Sequence, residues 1–511
     1  MVKPNIVIIM ADQLAPQFCG IYGHPVAKTP HIDSLAKSGK RFDAAYCNSP
    51  LCAPSRFSFM SGQLVSRIAA YDNASEFSAM TPTFAHYLRS LGYRTCLSGK
   101  MHFIGPDQKH GFEDRVTTDI YPSDFAWTPD WEAPDERIDK WYHNMQTIKE
   151  SGMAVATFQT DYDDEVGFAA NRWLIDQARD LASESSRPFA LVASFIHPHD
   201  PYVAKPEWWN LYSDDKIELP VTNIEAVDMD PFSKRLLDGI EASYIPLSNE
   251  EIIRARRAYL ANVSYFDSKV GEIIKTIYDI GEIDNTVIIV TADHGDMLGE
   301  RGLWYKMNFF EHSARVPMIF AGPNISSGVI KNTCSLVDIL PTLIDIAGGS
   351  EDILGKEIDG RSLVNLLHGK EDPVDEAIGE YCAEMTAHPV FMIRRSNLKY
   401  IHCDEDPPQL YDLNIDPLET RNFANHPEYK EAVESFANEV SSRWDSKKLR
   451  EDIIKTQKSR RSLYEAMSFG KLEAWDYNPP SDASQQYVRN HMDWTIAASR
   501  YRFPPISGDK T

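Results

Sequence analysis

In the stretch Asn5-Ile6-Val7-Ile8-Ile9-Met10, Ile6 to Met10 is an unbroken apolar run that meets a charge shortly afterwards, at Asp12. A run this short, rich in β-branched residues and free of polar alternation, suits a strand buried on both faces. The pattern recurs as Tyr93 to Leu97 before Lys100, Phe189 to Phe195 before His197, and Thr286 to Val290 before Asp293. Helical segments lie between these runs. Thr83 to Leu91 is stopped by Gly92, and a longer helix opens at Ser248, where Glu251 completes a capping box, and closes near Gly281. Strands alternating with helices predict an α/β fold with a large, mainly parallel central sheet flanked by helices. Such sheets gather ligands at the carboxyl ends of their strands, where the polar residues ending all four runs would fall.

A chain of 511 residues exceeds one ordinary domain. After about residue 375 the texture changes to short strands, Ala377 to Cys382, Val390 to Arg394 and Leu398 to His402, separated by turn-forming residues. This predicts a large domain over 1–375 and a small antiparallel-sheet subdomain over 376–455. Residues 456–511 are polar and aromatic, with Trp475, Tyr477, Tyr487, Trp494, Tyr501 and the pair Pro504-Pro505, and show little periodicity. They read as an extended tail that wraps a neighbouring surface, its own or a partner's.

Hydrophobic residues at 43% and charged ones at 25% are those of a folded globular protein. A formal charge of -23 excludes the basic footprint of nucleic-acid or anionic-membrane binding. It also repels an anionic substrate unless the site concentrates positive charge. The cysteines at 19, 47, 52, 96, 334, 382 and 403 are odd in number and scattered, unlike a disulfide framework or a zinc ribbon. The N-terminal run is short for a secretory segment and no stretch reaches transmembrane length, so the expectation is a cytoplasmic protein without a membrane partner.

The stretch richest in chemistry is Cys52-Ala53-Pro54-Ser55-Arg56, continuing to Ser61-Gly62. Read blandly, Cys52 is a small buried hydrophobe beside a helix start, with Pro54 in the first turn. Its context argues for more, because Asp12 follows the first strand and Asp293-His294 follow a later one. Asp12, Asp293 and His294 would bring oxygen and imidazole ligands to where the strand ends converge, a set expected to suit one hard divalent ion, calcium first, with magnesium and manganese as alternatives. The Cys52 stretch resembles the sulfatase signature, in which the cysteine of a C-x-P-S-R sequence is oxidised by a formylglycine-generating enzyme. The resemblance implies an alkaline phosphatase-like fold, a formylglycine nucleophile at residue 52 and hydrolysis of a sulfate monoester. The commonest members carry Asp-Asp and Asp-Asn where this chain has Asp12-Gln13 and Asp293-His294. Those departures resemble the branch holding choline sulfatases and phosphonate monoester hydrolases, and Gln13 is left out of the expected ligand set because it brings no charge.

Positive charge for the sulfate is expected from Arg56, Lys100 and Lys306, and proton transfer from His102 and His197, while His199 reads as structural. The resemblance implies that one hydroxyl of the hydrated aldehyde attacks sulfur as His197 and Lys306 assist departure of the alcohol. His102 then removes the proton from the second hydroxyl and sulfate leaves.

Likeness to choline sulfatases extends through Tyr71-Asp72-Asn73, Thr117 to Pro122, Ile196 to Tyr202 and Tyr487 to Asp493. A quaternary ammonium donates no conventional hydrogen bond and is held by aromatic faces and carboxylates. Asn73, Trp127, His143 in Trp141-Tyr142-His143-Asn144, Glu384 and Asp493 are the expected substrate residues. Asp493 would arrive through the tail of a neighbouring subunit in a homo-oligomer, a dimer or tetramer. Two rivals stand beside this reading: a phosphonate monoester or phosphodiester hydrolase on the same scaffold, and a non-catalytic binder of quaternary amines in which Cys52 remains a thiol.

Overall fold

The computed structural model describes residues 3–133, 143–181, 187–225, 227–472 and 474–504. Trp141, Tyr142 and Pro505, named in the sequence reading, lie outside the described residues.

The four apolar runs are strands of one eight-stranded sheet. In chain order its strands are β1 (Asn5–Asp12), β2 (Lys40–Phe42), β3 (Arg94–Gly99), β4 (Asp114–Arg115), β5 (Phe189–Pro198), β6 (Thr286–Ala292), β7 (Met318–Ala321) and β8 (Gly328–Ile330). Their spatial order is β8-β2-β7-β6-β1-β5-β3-β4. All run parallel except β7, which pairs antiparallel with both β6 and β2. β1 lies between β5 and β6, with Met10 opposite Ser194 on one side and Thr291 on the other. Every residue of β1 is buried. Burial of a Val or Ile side chain stabilises by about 1.5–3 kcal/mol, so this central strand is apolar on both faces until Asp12 ends it.

The long helix is Asn249–Asp279, and its capping box forms as the sequence predicts. Ser248 Oγ accepts from Glu251 N at 3.2 Å, while Glu251 Oε2 accepts from Ser248 N at 2.7 Å. The helix over Phe84–Ser90 sits where the Thr83 start and Gly92 stop put it. One close approach needs glycine: at Gly99 (φ +103°) a Cβ would lie 1.9 Å from Ser194 O, so only glycine lets β3 close against β5 immediately before Lys100.

The subdomain is a four-stranded antiparallel meander of β9 (Glu376–Tyr381), β10 (Val390–Arg395), β11 (Leu398–Cys403) and β12 (Asp406–Asp412). The last strand is additional to the three the sequence suggests; its Asp406-Pro407-Pro408 start hides it, since proline is read as a strand breaker. Helices Lys430–Arg443 and Ser446–Ser468 pack with this sheet around a second core containing Phe391, Tyr400, Phe436 and Ile453. The buried Lys399 ammonium fastens the small sheet to the large domain, 2.6 Å from Glu311 Oε1 and 2.8 Å from Glu419 Oε1.

The C-terminal segment departs from the aperiodic tail expected of it. The Ser446–Ser468 helix runs straight through residue 455, and Trp494–Tyr501 is helical too. The first escapes detection because its buried stripe is Leu449, Ile453, Gln457 and Arg460, half polar and therefore nearly silent in a hydrophobic pattern. Among the described residues no helix is long and apolar enough to cross a membrane.

Candidate active site

Parallel strands end together, and here they deliver Asp12 from β1, Lys100 after β3, His197 within β5 and Asp293-His294 after β6 to one buried centre. Cys52 arrives from outside the sheet as the first residue of the helix Cys52–Ser61, whose Pro54 lies in the first turn. Gly62 ends that helix in the left-handed conformation (φ +66°), and a Cβ there would press on Ile358 at 2.9 Å.

Cys52 Sγ lies 3.8 Å from Asp12 Oδ1 and 3.3 Å from His294 Nε2. His294 Nε2 is 3.8 Å from Asp12 Oδ1 and 3.7 Å from Asp293 Oδ2. One ligand atom from each of these four residues falls within 4.8 Å of the others, all buried. His294 Nδ1 is 3.0 Å from Gly295 O, which fixes the tautomer that leaves Nε2 a lone pair, and burial holds the imidazole neutral by lowering its pKa to about 4. Two carboxylates, a neutral imidazole and the residue-52 side chain suit a hard divalent cation.

Cations crowd the same centre. The guanidinium of Arg56 is fully committed: Nε to Asp293 Oδ2 at 2.9 Å, Nη2 to Asp12 Oδ2 at 3.0 Å, and Nη1 to Lys100 O at 2.7 Å and Ser194 Oγ at 2.8 Å. Arg56 thereby acts as a strut that fixes the two carboxylates. Lys100 Nζ pairs with Asp12 Oδ2 and lies 4.3 Å from the ring centre of Tyr121. Lys306 Nζ donates to Gln13 Oε1 at 2.5 Å and contacts His199 Nε2 at 2.9 Å. Burial opposes its charge, but Cys52, Asp200, Asp12 and Asp293 together raise its pKa. Burial, joined by Asp12, also raises the Cys52 thiol to about 11, so the unmodified side chain is a thiol at neutral pH.

The two expected proton carriers are both poised. His197 Nδ1 sits 2.7 Å from Asp163 Oδ2, and its buried Nε2 has no protein partner among the described residues. Both ring nitrogens of His102 are likewise unpartnered, and burial reinforced by Lys100 lowers its pKa to about 3, leaving a neutral ring that can accept a proton. Its backbone is gripped by Asp119, whose Oδ2 accepts from Met101 N at 3.0 Å and His102 N at 2.9 Å.

The proposed alcohol-side residues divide. Trp127 stands edge-on to His102 at 5.8 Å and tilted to Tyr121 at 5.2 Å. His143 stacks on Tyr305 at 4.2 Å, with Nδ1 3.2 Å from Asp200 Oδ2. Asn73 Oδ1 accepts from Ala53 N at 3.0 Å, one residue beyond Cys52. Glu384 is buried, its Oε2 has no hydrogen-bond partner among the described residues, and burial lifts its pKa to about 7. Asp493 is exposed in this single chain and caps the Trp494–Tyr501 helix, accepting from Thr495 N at 2.9 Å and Ile496 N at 3.1 Å.

Sequence reasoning underrated several neighbours. His199, read as structural, touches Lys306 and lies 4.0 Å from Asp12 Oδ1, because the His197-Pro198-His199-Asp200 turn brings it back over the strand end. Gln13, excluded from the ligand set, is nonetheless central: Nε2 donates to Asp296 Oδ2 at 2.6 Å and Asp200 Oδ1 at 3.2 Å, which aims its oxygen at Lys306. Asp119, Tyr121 and Asp200 lie in stretches the sequence singles out, whereas Asp163, inside the helix Phe158–Leu181, carries no signal of its own.

Comparison with known proteins gives matches along nearly the whole chain. Residues 4–350 match the family model described as Sulfatase, 299–445 that of the N-sulphoglucosamine sulphohydrolase C-terminal region, and 451–503 that of the choline sulfatase enzyme C terminal. A choline-sulfatase of Rhizobium meliloti is 46% identical over 506 residues, covering 98% of this chain and 99% of that protein. An arylsulfatase of Clostridium perfringens is 28% identical over 84% of this chain and 92% of its own length. Among solved structures, a phosphonate monoester hydrolase of Agrobacterium radiobacter superposes with a TM-score of 0.67 at 22% identity, covering 88% of this chain and 96% of that one. The 2-O GAG sulfatase BT1596 gives 0.67 at 21% identity, covering 91% and 94%. At such identities the structures establish the fold.

Proposed function

The chain belongs to the sulfatase family and is a sulfuric ester hydrolase, and from that premise we propose that it hydrolyses choline sulfate to choline and sulfate. The observation that carries the choice of alcohol is Glu384, a buried carboxylate whose Oε2 has no hydrogen-bond partner among the described residues. An unneutralised carboxylate is costly inside a protein unless a cation comes to it, and a trimethylammonium group supplies one without needing an acceptor. Trp127 and Tyr121 add aromatic surface beside His102. The full-length likeness to a choline-sulfatase supports the same reading.

The reading includes a formylglycine at residue 52, made by a separate oxidising enzyme, and one divalent ion, calcium first, held by Asp12, Asp293, His294 and residue 52. When bound, the ion supplies positive charge that favours an ionised hydroxyl on residue 52 and a polarised sulfate. Arg56 keeps both carboxylates oriented. Lys100 and Lys306 offset the negative charge of the sulfate group and of its attacking oxygen, answering the repulsion from the net charge of -23. His197, held at Nδ1 by Asp163, donates from Nε2 to the departing alcohol oxygen. His102 takes the proton of the remaining hydroxyl as sulfate leaves. The reading extends to a homo-oligomer in which Asp493 of a neighbouring tail completes the alcohol site; exposed Tyr487, Trp494 and Ile496 beside it offer apolar surface for such packing. A cytoplasmic location fits seven cysteines that all stand free.

Steady-state kinetics on choline sulfate, an aryl sulfate with an uncharged leaving group and a phenyl phosphonate ester test the proposal. Choline sulfate should show the highest kcat/KM. A phosphonate ester turned over faster than either sulfate would overturn it. The mass of the peptide carrying residue 52 falls if the aldehyde is present; an unchanged thiol in active enzyme would remove the proposed nucleophile.

A further inference from the structure

The Ser446–Ser468 helix does more than cover the small sheet. Of its buried stripe, Leu449 and Ile453 join the second core, whereas Gln457 and Arg460 make polar contacts with residues of the large domain. Arg460 forms a two-pronged ion pair with Asp72, Nη1 to Oδ1 at 2.6 Å and Nη2 to Oδ2 at 2.6 Å, with side chains 7% and 0% exposed. Its Nη1 also lies 3.4 Å from Thr128 Oγ1. Nearby, Gln457 Oε1 accepts from Trp131 N at 2.9 Å, and Trp131 Nε1 in turn donates to Ala383 O at 2.7 Å. Each anchor point adjoins a residue of the alcohol side. Asp72 precedes Asn73, which holds the start of the Cys52 helix through Ala53 N; Thr128 follows Trp127; Ala383 precedes Glu384.

We propose that Arg460 and Gln457 are positioning residues for the alcohol subsite, locking the loops that carry Asn73, Trp127 and Glu384 from behind. The inference rests on reading those three residues as that subsite. Stability alone does not account for the arrangement. A helix that merely covered the sheet would be served as well or better by apolar side chains, because a buried ion pair seldom outperforms packed hydrocarbon. What a planar guanidinium bound at two oxygens provides is a fixed orientation, which lysine cannot reproduce. Loops set this way hold an aromatic face and a carboxylate at one separation, and misplacement by about 1 Å suffices to lose much of an oriented interaction.

The test compares wild type, Arg460→Lys and Gln457→Leu in the full-length metal-loaded enzyme, with kinetics on choline sulfate and on an aryl sulfate with an uncharged leaving group. Hydrogen exchange at 71–75, 127–131 and 383–387 is measured in parallel. Arg460→Lys should raise KM for choline sulfate by about tenfold and Gln457→Leu by about threefold, with kcat for the aryl sulfate within about twofold of wild type. Exchange should accelerate in those segments and not in β1 or β6. Equal losses on both substrates, or unchanged exchange and unchanged discrimination in folded variants, would overturn the proposal. If Arg460→Lys does not fold, Gln457→Leu decides on the same readouts. Should wild type itself ignore choline sulfate, the choice of alcohol fails, and the exchange pattern still decides whether the helix holds these loops.

Discussion

Around residue 52 almost every charge has an opposite within reach: Arg56 with Asp12 and Asp293, Lys100 with Asp12, and Lys306 with Asp200, Asp12 and Asp293 near enough to raise its pKa. At Glu384 the opposite holds, for a buried carboxylate oxygen has no donor among the described residues. The first region hangs from the ends of β1, β3, β5 and β6, whose registers leave little freedom. The second is assembled from loops and the edge of the small subdomain, braced by a C-terminal helix. Chemistry common to sulfate esters needs charges already in place before substrate arrives, so it sits on the rigid sheet. Discrimination between alcohols needs a deficit that only the right group satisfies, and the proposed alcohol site offers one at Glu384.

The comparison breaks most sharply at the nucleophile. Cys52→Ala should abolish turnover of every sulfate ester, by more than about a hundredfold, while circular dichroism stays unchanged. Residual activity above about a hundredth of wild type would remove residue 52 from the chemistry. Next in size, Asp293→Ala should match exhaustive chelation in activity and also lower thermal stability, because it leaves Arg56 buried with only one of its two carboxylate partners; breaking such a pair typically costs about 3–5 kcal/mol. Full activity after chelation, with metal absent by elemental analysis, would refute the ligand set.

On the alcohol side the effects should be smaller and selective. Glu384→Gln should raise KM for choline sulfate about tenfold and spare an uncharged aryl sulfate, since a desolvated cation contact is worth about 2 kcal/mol or less often more. Equal losses on both would make Glu384 a support of the fold.

The pH dependence sharpens the same point. Burial raises the Glu384 carboxyl to about 7, so it is half protonated near neutrality, while a bound cation would favour the ionised form. KM for choline sulfate should therefore fall severalfold as pH rises through about 7, with binding releasing a proton, and Glu384→Gln should flatten that component. A profile identical in wild type and variant would assign the titration elsewhere.

The sequence by itself determined the central sheet, the long capped helix and the position of Asp12, Lys100, His197 and Asp293 at the strand ends of one face. Buried parallel strands must be apolar throughout, and the residue that ends such a run lies at the carboxyl end by construction. Signals of that kind are local. The tertiary structure alone decided that β7 runs against its neighbours, that Asp163 holds His197, that Gln13 turns its oxygen to Lys306, and that the supposed tail begins as a helix bound to Trp131 and Asp72. Those partners are far apart in the chain and polar, so neither periodicity nor composition marks them. A buried hydrogen bond leaves its trace in two side chains at once, and only the folded chain brings the two together.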